Sequence, residues 1–113
     1  MALKYLSTFK TRKIAVIGDV LELGKLSKKI HQEIGNNIKE KDIDIVITIG
    51  KYSRYINKSL KRKGFEKKNL KHFKTEELSR KYIKKILRKD DAILIKGSNG
   101  IGLINLVEFL KGE

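Results

Sequence analysis

Apolar residues gather in short runs along the chain, and between the runs they recur every three or four positions. Lys13 to Gly18 (Lys-Ile-Ala-Val-Ile-Gly) and Ile45 to Gly50 (Ile-Val-Ile-Thr-Ile-Gly) are apolar on both sides of a pleat, as strands of a helix-covered parallel sheet require. Both end in glycine. Asp91 to Lys96 (Asp-Ala-Ile-Leu-Ile-Lys) repeats the pattern and runs into a glycine-rich turn, Gly97-Ser98-Asn99-Gly100-Ile101-Gly102. Asn69 to Phe73 is a shorter run, poorer in apolar residues, and is therefore expected at a sheet edge.

The intervening segments carry helical periodicity. Leu3, Leu6 and Phe9 keep a three-residue beat that predicts one or two helical turns over the first nine residues. Ser27 is an expected N-cap for a helix to about Lys39, with Ile30, Ile34 and Ile38 as its buried stripe, although Gly35 within it costs about 1 kcal/mol of helix propensity. A helix from about Tyr52 to Arg62 would bury Tyr52, Tyr55 or Ile56, and Leu60, with Gly64 as its C-terminal cap. Thr75 predicts the start of another, with Glu76 and Glu77 at its positive end and Leu78, Tyr82, Ile83, Ile86 and Leu87 on its apolar face. A last helix from Ile101 to Lys111 would turn Ile104, Val107 and Leu110 inward.

Four strands alternating with helices predict an α/β fold: a Rossmann-like three-layer domain with a mainly parallel sheet and helices on both faces. Right-handed crossovers and a weak third strand favour the order 3-2-1-4. In that order the first and fourth strands are neighbours, yet the chain leaves them in opposite directions. A ligand crevice is expected between Gly18-Asp19 and Lys96-Gly97-Ser98.

Composition narrows what such a crevice can hold. At 113 residues the chain is expected to be one domain, burying roughly two-thirds of the surface its unfolded form exposes. It has no cysteine, so neither disulfides nor thiolate metal sites contribute, and its two histidines stand far apart as His31 and His72. The opening residues are too polar for a signal peptide and no apolar run reaches the length of a membrane span, which predicts a cytoplasmic protein with no membrane partner. Lys+Arg 27 against Asp+Glu 13 gives a net charge of +14. The lysines are dispersed, as in Lys28-Lys29, Lys67-Lys68 and Lys84-Lys85, without an aromatic RNA-binding signature; nucleic acid is expected only as a non-specific polyanion.

The glycines at 97, 100 and 102 let the backbone turn sharply and approach a ligand, and the turn of helix behind them offers unpaired amides. Lys96 adds a charge, or else points to solvent. Ser98 adds a hydroxyl or a helix cap. The spacing is neither that of a Walker A loop nor a Gly-x-Gly-x-x-Gly after the first strand. Asp19 could accept hydrogen bonds from an ammonium or a ribose, or could cap the following loop. Glu22 could be a solvated acid or a catalytic one, and His31 a partly buried helix residue or a general base. No nucleophile, base and orienting acid come together, so nothing here predicts self-contained catalysis.

Ile14-Ala-Val-Ile-Gly-Asp-Val-Leu-Glu-Leu-Gly24, followed by Ser27, His31-Gln-Glu-Ile-Gly35, the Ile45 to Gly50 run, Asp91 and Lys96-Gly-Ser-Asn-Gly100, resembles the C-terminal domain of the Mur ligase family. The resemblance runs from about Ala2 to Leu110. The Gly-Asp-x-Leu-Glu-Leu-Gly run with its downstream His-x-Glu-x-Gly resembles most the branch that joins D-alanyl-D-alanine to UDP-N-acetylmuramoyl-tripeptide in peptidoglycan synthesis. What this implies is a third domain that closes over a central ATP-binding domain, where ATP activates the tripeptide carboxylate as an acyl phosphate and the dipeptide amine attacks it. The resemblance places Gly18, Asp19, Glu22, His31, Lys96, Gly97, Ser98, Asn99 and Gly100 along the interdomain cleft.

The family's phosphate-binding glycine-lysine-threonine loop, magnesium ligands, modified lysine and Asp-x-Tyr-Asn-Ala-Asn-Pro motif have no counterpart in these residues. The resemblance therefore implies that ATP and Mg are held mainly by other domains, and that this chain alone is inert as a ligase; a monomer is favoured, with dimers through an exposed domain interface as the alternative. Asn99 stands where a basic residue, often arginine, is expected, which throws the charge of the turn onto Lys96. The alternative reading is a stand-alone basic α/β module that binds nucleic acid or a nucleotide.

Overall fold

The computed structural model describes residues 2–39 and 41–112, with the side chains of residues 2 and 99 outside the described set. Helices α1 (Ala2–Ser7), α2 (Ser27–Lys39), α3 (Arg54–Arg62), α4 (Glu76–Ile86) and α5 (Leu103–Gly112) alternate with strands β1 (Lys13–Gly18), β2 (Ile45–Ile49), β3 (Leu70–Phe73) and β4 (Ala92–Lys96). The strands form one parallel sheet in the order β3-β2-β1-β4. This is the expected topology, with β3 and β4 at the edges.

The pleat of β1 divides the core. Ala15 and Ile17 face α1, α2 and α3 with Leu3, Leu6, Ile38, Val46, Ile56, Leu60 and Leu70. Ile14 and Val16 face α4 and α5 with Ile45, Ile47, Ile49, Ile83, Leu103 and Leu106. Each fully buried isoleucine or leucine contributes about 1.5–3 kcal/mol, so the two layers together carry the fold without a covalent staple.

Helix phases differ from the periodicity reading in three places. On α2 the buried line is Ser27, His31, Gly35 and Ile38, while Ile30 and Ile34 are only half-buried. The cause is Gly35: a Cβ there would stand 3.0 Å from the Ile56 carbonyl oxygen and 3.0 Å from the Ser59 Cβ, so the missing side chain is what lets α2 lie against α3. On α4 Leu78 is 61% exposed, and the inward line is Glu76, Ser79 and Ile83. On α5 Ile104 is 64% exposed and Leu103 and Leu106 are buried, because the helix begins after Gly102, at φ +79, and its phase is set by Leu103 seated beneath Gly18 and Gly97.

The ends of the helices also depart in part. Ser27 is the first helical residue rather than a cap, following a 3-10 turn at Gly24–Leu26. Thr75 does cap α4, accepting a hydrogen bond from the Leu78 amide at 3.3 Å. Gly64, at φ +90, ends α3 in a Schellman motif: its amide donates to the Lys61 carbonyl at 3.1 Å, and the Phe65 amide to the Leu60 carbonyl at 2.9 Å. Helix α3 starts at Arg54 and not at Tyr52, since the residues before it are held in a turn by Asp19.

The amino ends of the strands are clamped by charge. Lys13 pairs with Ala92 in the sheet, which brings Arg12 and Asp91 side by side. Arg12 donates to both Asp91 oxygens, at 3.0 and 2.6 Å, and to the Ile86 carbonyl at 2.6 Å. The arginine holds the Asp91 carboxyl below its ordinary pKa, burial opposing.

Candidate functional site

At the opposite, carboxyl ends of the strands, β1 and β4 meet through two glycines. A Cβ on Gly97 would lie 3.0 Å from the Gly18 Cα and 2.8 Å from Leu103 Cδ1, and one on Gly18 would lie 3.0 Å from the same Leu103 methyl. A side chain at Gly97 would press on the β1 backbone itself, and one at Gly18 would make the Leu103 and Ile101 side chains shift. The two departing loops are then tied together by Ser98, whose amide donates to the Asp19 carbonyl at 2.9 Å and whose Oγ accepts from the Leu21 amide at 2.9 Å. Its hydroxyl proton remains available to a further acceptor.

Asp19 is 2% exposed. Its Oδ1 accepts the amides of Tyr52 and Ser53 at 3.0 and 2.6 Å, and Oδ2 accepts that of Lys51 at 2.9 Å. The carboxylate sits where an anion is favoured, at the start of α3, and joins β1 to the loop after β2. Gly50 makes room for it: at φ +121, with the Asp19 carboxylate 2.5 Å from any Cβ, no other residue fits. Asp19 therefore caps a loop, but the one across the sheet rather than the one that follows it.

His31 is fully buried. Nδ1 lies 2.7 Å from the Ser27 carbonyl and Nε2 3.1 Å from the Val20 amide. A carbonyl only accepts and an amide only donates, so the ring is the neutral tautomer with its proton on Nδ1. Both nitrogens are committed to holding the β1–α2 loop against its own helix. Glu22 is exposed and in the left-handed region at φ 64.

What opens to solvent is a cleft of about 360 Å³ lined by Leu3, Ile17, Gly18, Val20, Ile34, Lys96, Gly97 and Ser98. The structure brings Gly18, Lys96, Gly97 and Ser98 together in its wall, and places Asp19 and His31 in the supporting bonds beneath. Gly100 belongs to the 3-10 turn Asn99–Ile101 and packs on Leu21, where a Cβ would meet Cδ1 at 2.9 Å. The Asn99 side chain lies outside the described residues. Lys96 is exposed and, among the described residues, lies within ion-pairing reach of no carboxylate. The cleft can accordingly take a small molecule with an anionic end at Lys96 and an apolar body against Ile17, Val20 and Ile34.

Leu3 and Ile34 were not legible as cleft residues, since each reads as part of a helical core stripe. The Asp19 bonds to residues 51–53 were equally hidden in the sequence. A Gly-Lys-x-Ser turn after β2 is their trace, visible only once β1 and β2 are known to be neighbours.

Residues 1–99 match the family described as Mur ligase, glutamate ligase domain. The chain is 36% identical over 99 residues to the UDP-N-acetylmuramoyl-tripeptide--D-alanyl-D-alanine ligase of Bacillus subtilis, covering 88% of this chain and 21% of that protein. The Buchnera aphidicola (Acyrthosiphon pisum) ligase of the same name is 34% identical over 114 residues, covering 99% of this chain and 24% of its own length. Among solved structures, MurF from Acinetobacter baumannii superposes with a TM-score of 0.83 at 23% identity, over 96% of this chain and 24% of that one. MurF ligase from Thermotoga maritima in complex with ADP gives 0.75 at 22% identity, over 97% and 24%. These structures share the fold, and the chain spans about a quarter of the length of the relatives it matches. The chain belongs to the Mur ligase family, as a member of that family's C-terminal domain.

Proposed function

We propose that this domain serves an ATP-dependent ligase that joins D-alanyl-D-alanine to UDP-N-acetylmuramoyl-tripeptide in peptidoglycan synthesis, and that its β1–β4 cleft receives the dipeptide. The observation that carries the reading is the cleft itself: Lys96, in no ion pair among the described residues, at the rim of an apolar wall framed by Gly18, Gly97 and Ser98. A dipeptide of two alanines has one carboxylate and two methyl groups. Lys96 suits the carboxylate, the Ser98 hydroxyl can donate to it, and Ile17, Val20 and Ile34 suit the methyls.

The nucleotide chemistry belongs elsewhere in such an enzyme. Among the described residues no three His, Asp or Glu side chains group to hold a metal ion, and the sequence has no Walker A spacing; on this reading Mg and the phosphoryl transfer itself are held mainly by other domains. The domain's part is to bind, orient and, on closing over an ATP-binding domain, exclude water. The 113 residues alone are then expected to catalyse no ligation. ATP-dependent ligation by this polypeptide by itself would overturn that.

Lys96→Ala, made in the full-length ligase, tests the cleft. Removal of one charge-assisted contact should lower kcat/KM for the dipeptide by about tenfold, with the KM for UDP-tripeptide unchanged. Unchanged dipeptide kinetics would remove Lys96 from the site.

A further inference from the structure

A second cleft, of about 490 Å³, opens at the carboxyl ends of β2 and β3, and Gly50, Lys51, Arg54, His72 and Lys74 line it. It has no residue in common with the β1–β4 cleft. Two chain segments build it, and the sheet register fixes them to one another: Ile49 pairs with Phe73, and the Gly50 amide donates to the Phe73 carbonyl at 2.9 Å. Lys51 and Arg54 on one segment and Lys74 on the other thereby line the same cleft.

Lys51, Arg54 and Lys74 are all exposed, and none of them has a carboxylate within ion-pairing reach among the described residues. The nearest acid in the loop, Asp19, is buried and already accepts three amides. The amides at the start of α3 are thus occupied, and an incoming anion would meet side chains rather than backbone. Arg54 is held in place by its own contacts: Nε donates to the Lys51 carbonyl at 2.9 Å, Nη2 to the Tyr55 hydroxyl at 3.0 Å, and the guanidinium lies 4.7 Å from the Tyr55 ring centroid, which leaves Nη1 for an incoming anion. Half-buried His72 stands at the back, Nδ1 2.7 Å from the Thr48 hydroxyl. Burial lowers its pKa and nearby Arg54 lowers it further, while the Gly50 carbonyl and the Asp19 carboxylate act the other way.

We propose that this cleft is a binding site for a phosphate group, separate from the dipeptide cleft. Three cations from two segments, none of them ion-paired among the described residues, line one cleft and match a dianion with several acceptor oxygens better than they match a single carboxylate. The dispersed lysines elsewhere add to the net charge of +14, but within this cleft Lys51, Arg54 and Lys74 are the cations brought together by the sheet register. A phosphate seated between Lys51, Arg54 and Lys74 also favours the protonated form of His72 at its edge.

The test is a titration of the 113-residue chain, followed by amide and imidazole NMR at constant ionic strength, with inorganic phosphate, pyrophosphate and a nucleoside triphosphate as separate arms. Saturable shifts are expected at Gly50 to Arg54 and at His72 to Lys74, with His72 taking up a proton as the site fills. The arm that saturates at the lowest concentration identifies a single phosphate, a diphosphate or a nucleotide as the group selected. The double variant Lys51→Ala/Lys74→Ala should weaken binding about a hundredfold, tenfold for each charged contact, while Lys61→Ala/Lys84→Ala, equal in charge but remote, should leave it unchanged. Equal weakening by both variants would show general polyanion attraction and overturn the site. So would shifts confined to Lys96 to Ser98, or no saturable shift in any arm.

Discussion

Asp19 shows what a sequence withholds at the scale of one residue. Beside a glycine at a strand end it reads as a ligand group, and a loop-capping role can be foreseen only in general terms, because its three partners at 51–53 are more than thirty positions away. Its burial and bonds make it a support for the cleft rather than part of the wall. Removing it leaves three amides without their acceptor in a poorly solvated turn. Asp19→Ala should therefore destabilise the domain by about 2–4 kcal/mol in urea denaturation, and Asp19→Asn, which keeps one acceptor, by about half of that. Equal, small effects for the two variants would show that the carboxylate is not what holds the loop. Lys96 behaves in the opposite way: exposed and, among the described residues, in no ion pair, it can be truncated with little effect on folding, so a kinetic change at that position speaks of ligand.

The elements themselves were largely legible. Both long strands begin where their apolar runs begin, and the 3-2-1-4 order follows from strand quality and crossover hand. Helix faces were less so, because periodicity reports spacing and not phase: on α2 Ile30, Ile34 and Ile38 mark a stripe, yet only Ile38 is fully buried, and the contact line reaches it through His31 and Gly35 while Ile30 and Ile34 are half-buried. The reason is close approach to α3, which only a residue without a side chain permits. Gly35→Ala sets two effects against one another. Helix propensity favours alanine by about 1 kcal/mol, whereas the new methyl meets the Ile56 carbonyl and the Ser59 Cβ, both fixed to the α3 backbone, at 3.0 Å. Such overpacking costs about 1–3 kcal/mol, so the variant should be less stable than the parent despite its better helix former. A raised melting temperature would mean that α2 and α3 slide apart freely. That same pairing orients the β1–α2 loop through His31, so any such sliding would also loosen one side of the β1–β4 cleft.

Across the whole molecule the two ends of the sheet divide the labour. The carboxyl ends hold glycines, committed amides and unpaired cations; the amino ends hold the ion pair that locks β1 to β4. Arg12 and Asp91 are adjacent because each immediately precedes one of two neighbouring parallel strands, so the strand order implies the contact, although Arg12 does not stand out in the sequence by itself. Since β4 is an edge strand with one neighbour, this clamp governs how firmly the Lys96 turn is carried. Asp91 titrates below its ordinary 3.8 in the folded chain, chiefly through its bonds to Arg12. A carboxyl lowered by folding stabilises fully above its unfolded pKa, and that contribution disappears as pH falls through the lower folded value. Asp91→Asn should therefore cost about 1–3 kcal/mol at neutral pH, the range for a charged hydrogen-bonded pair. The gap between parent and variant should stay constant down to about pH 4 and close progressively below it, as the parent's own carboxyl protonates. The rising positive charge of the acidified chain acts equally on both proteins and cancels in the difference. A gap that persists undiminished to pH 2 would assign the stability to the shape of the Asp91 side chain and not to its charge.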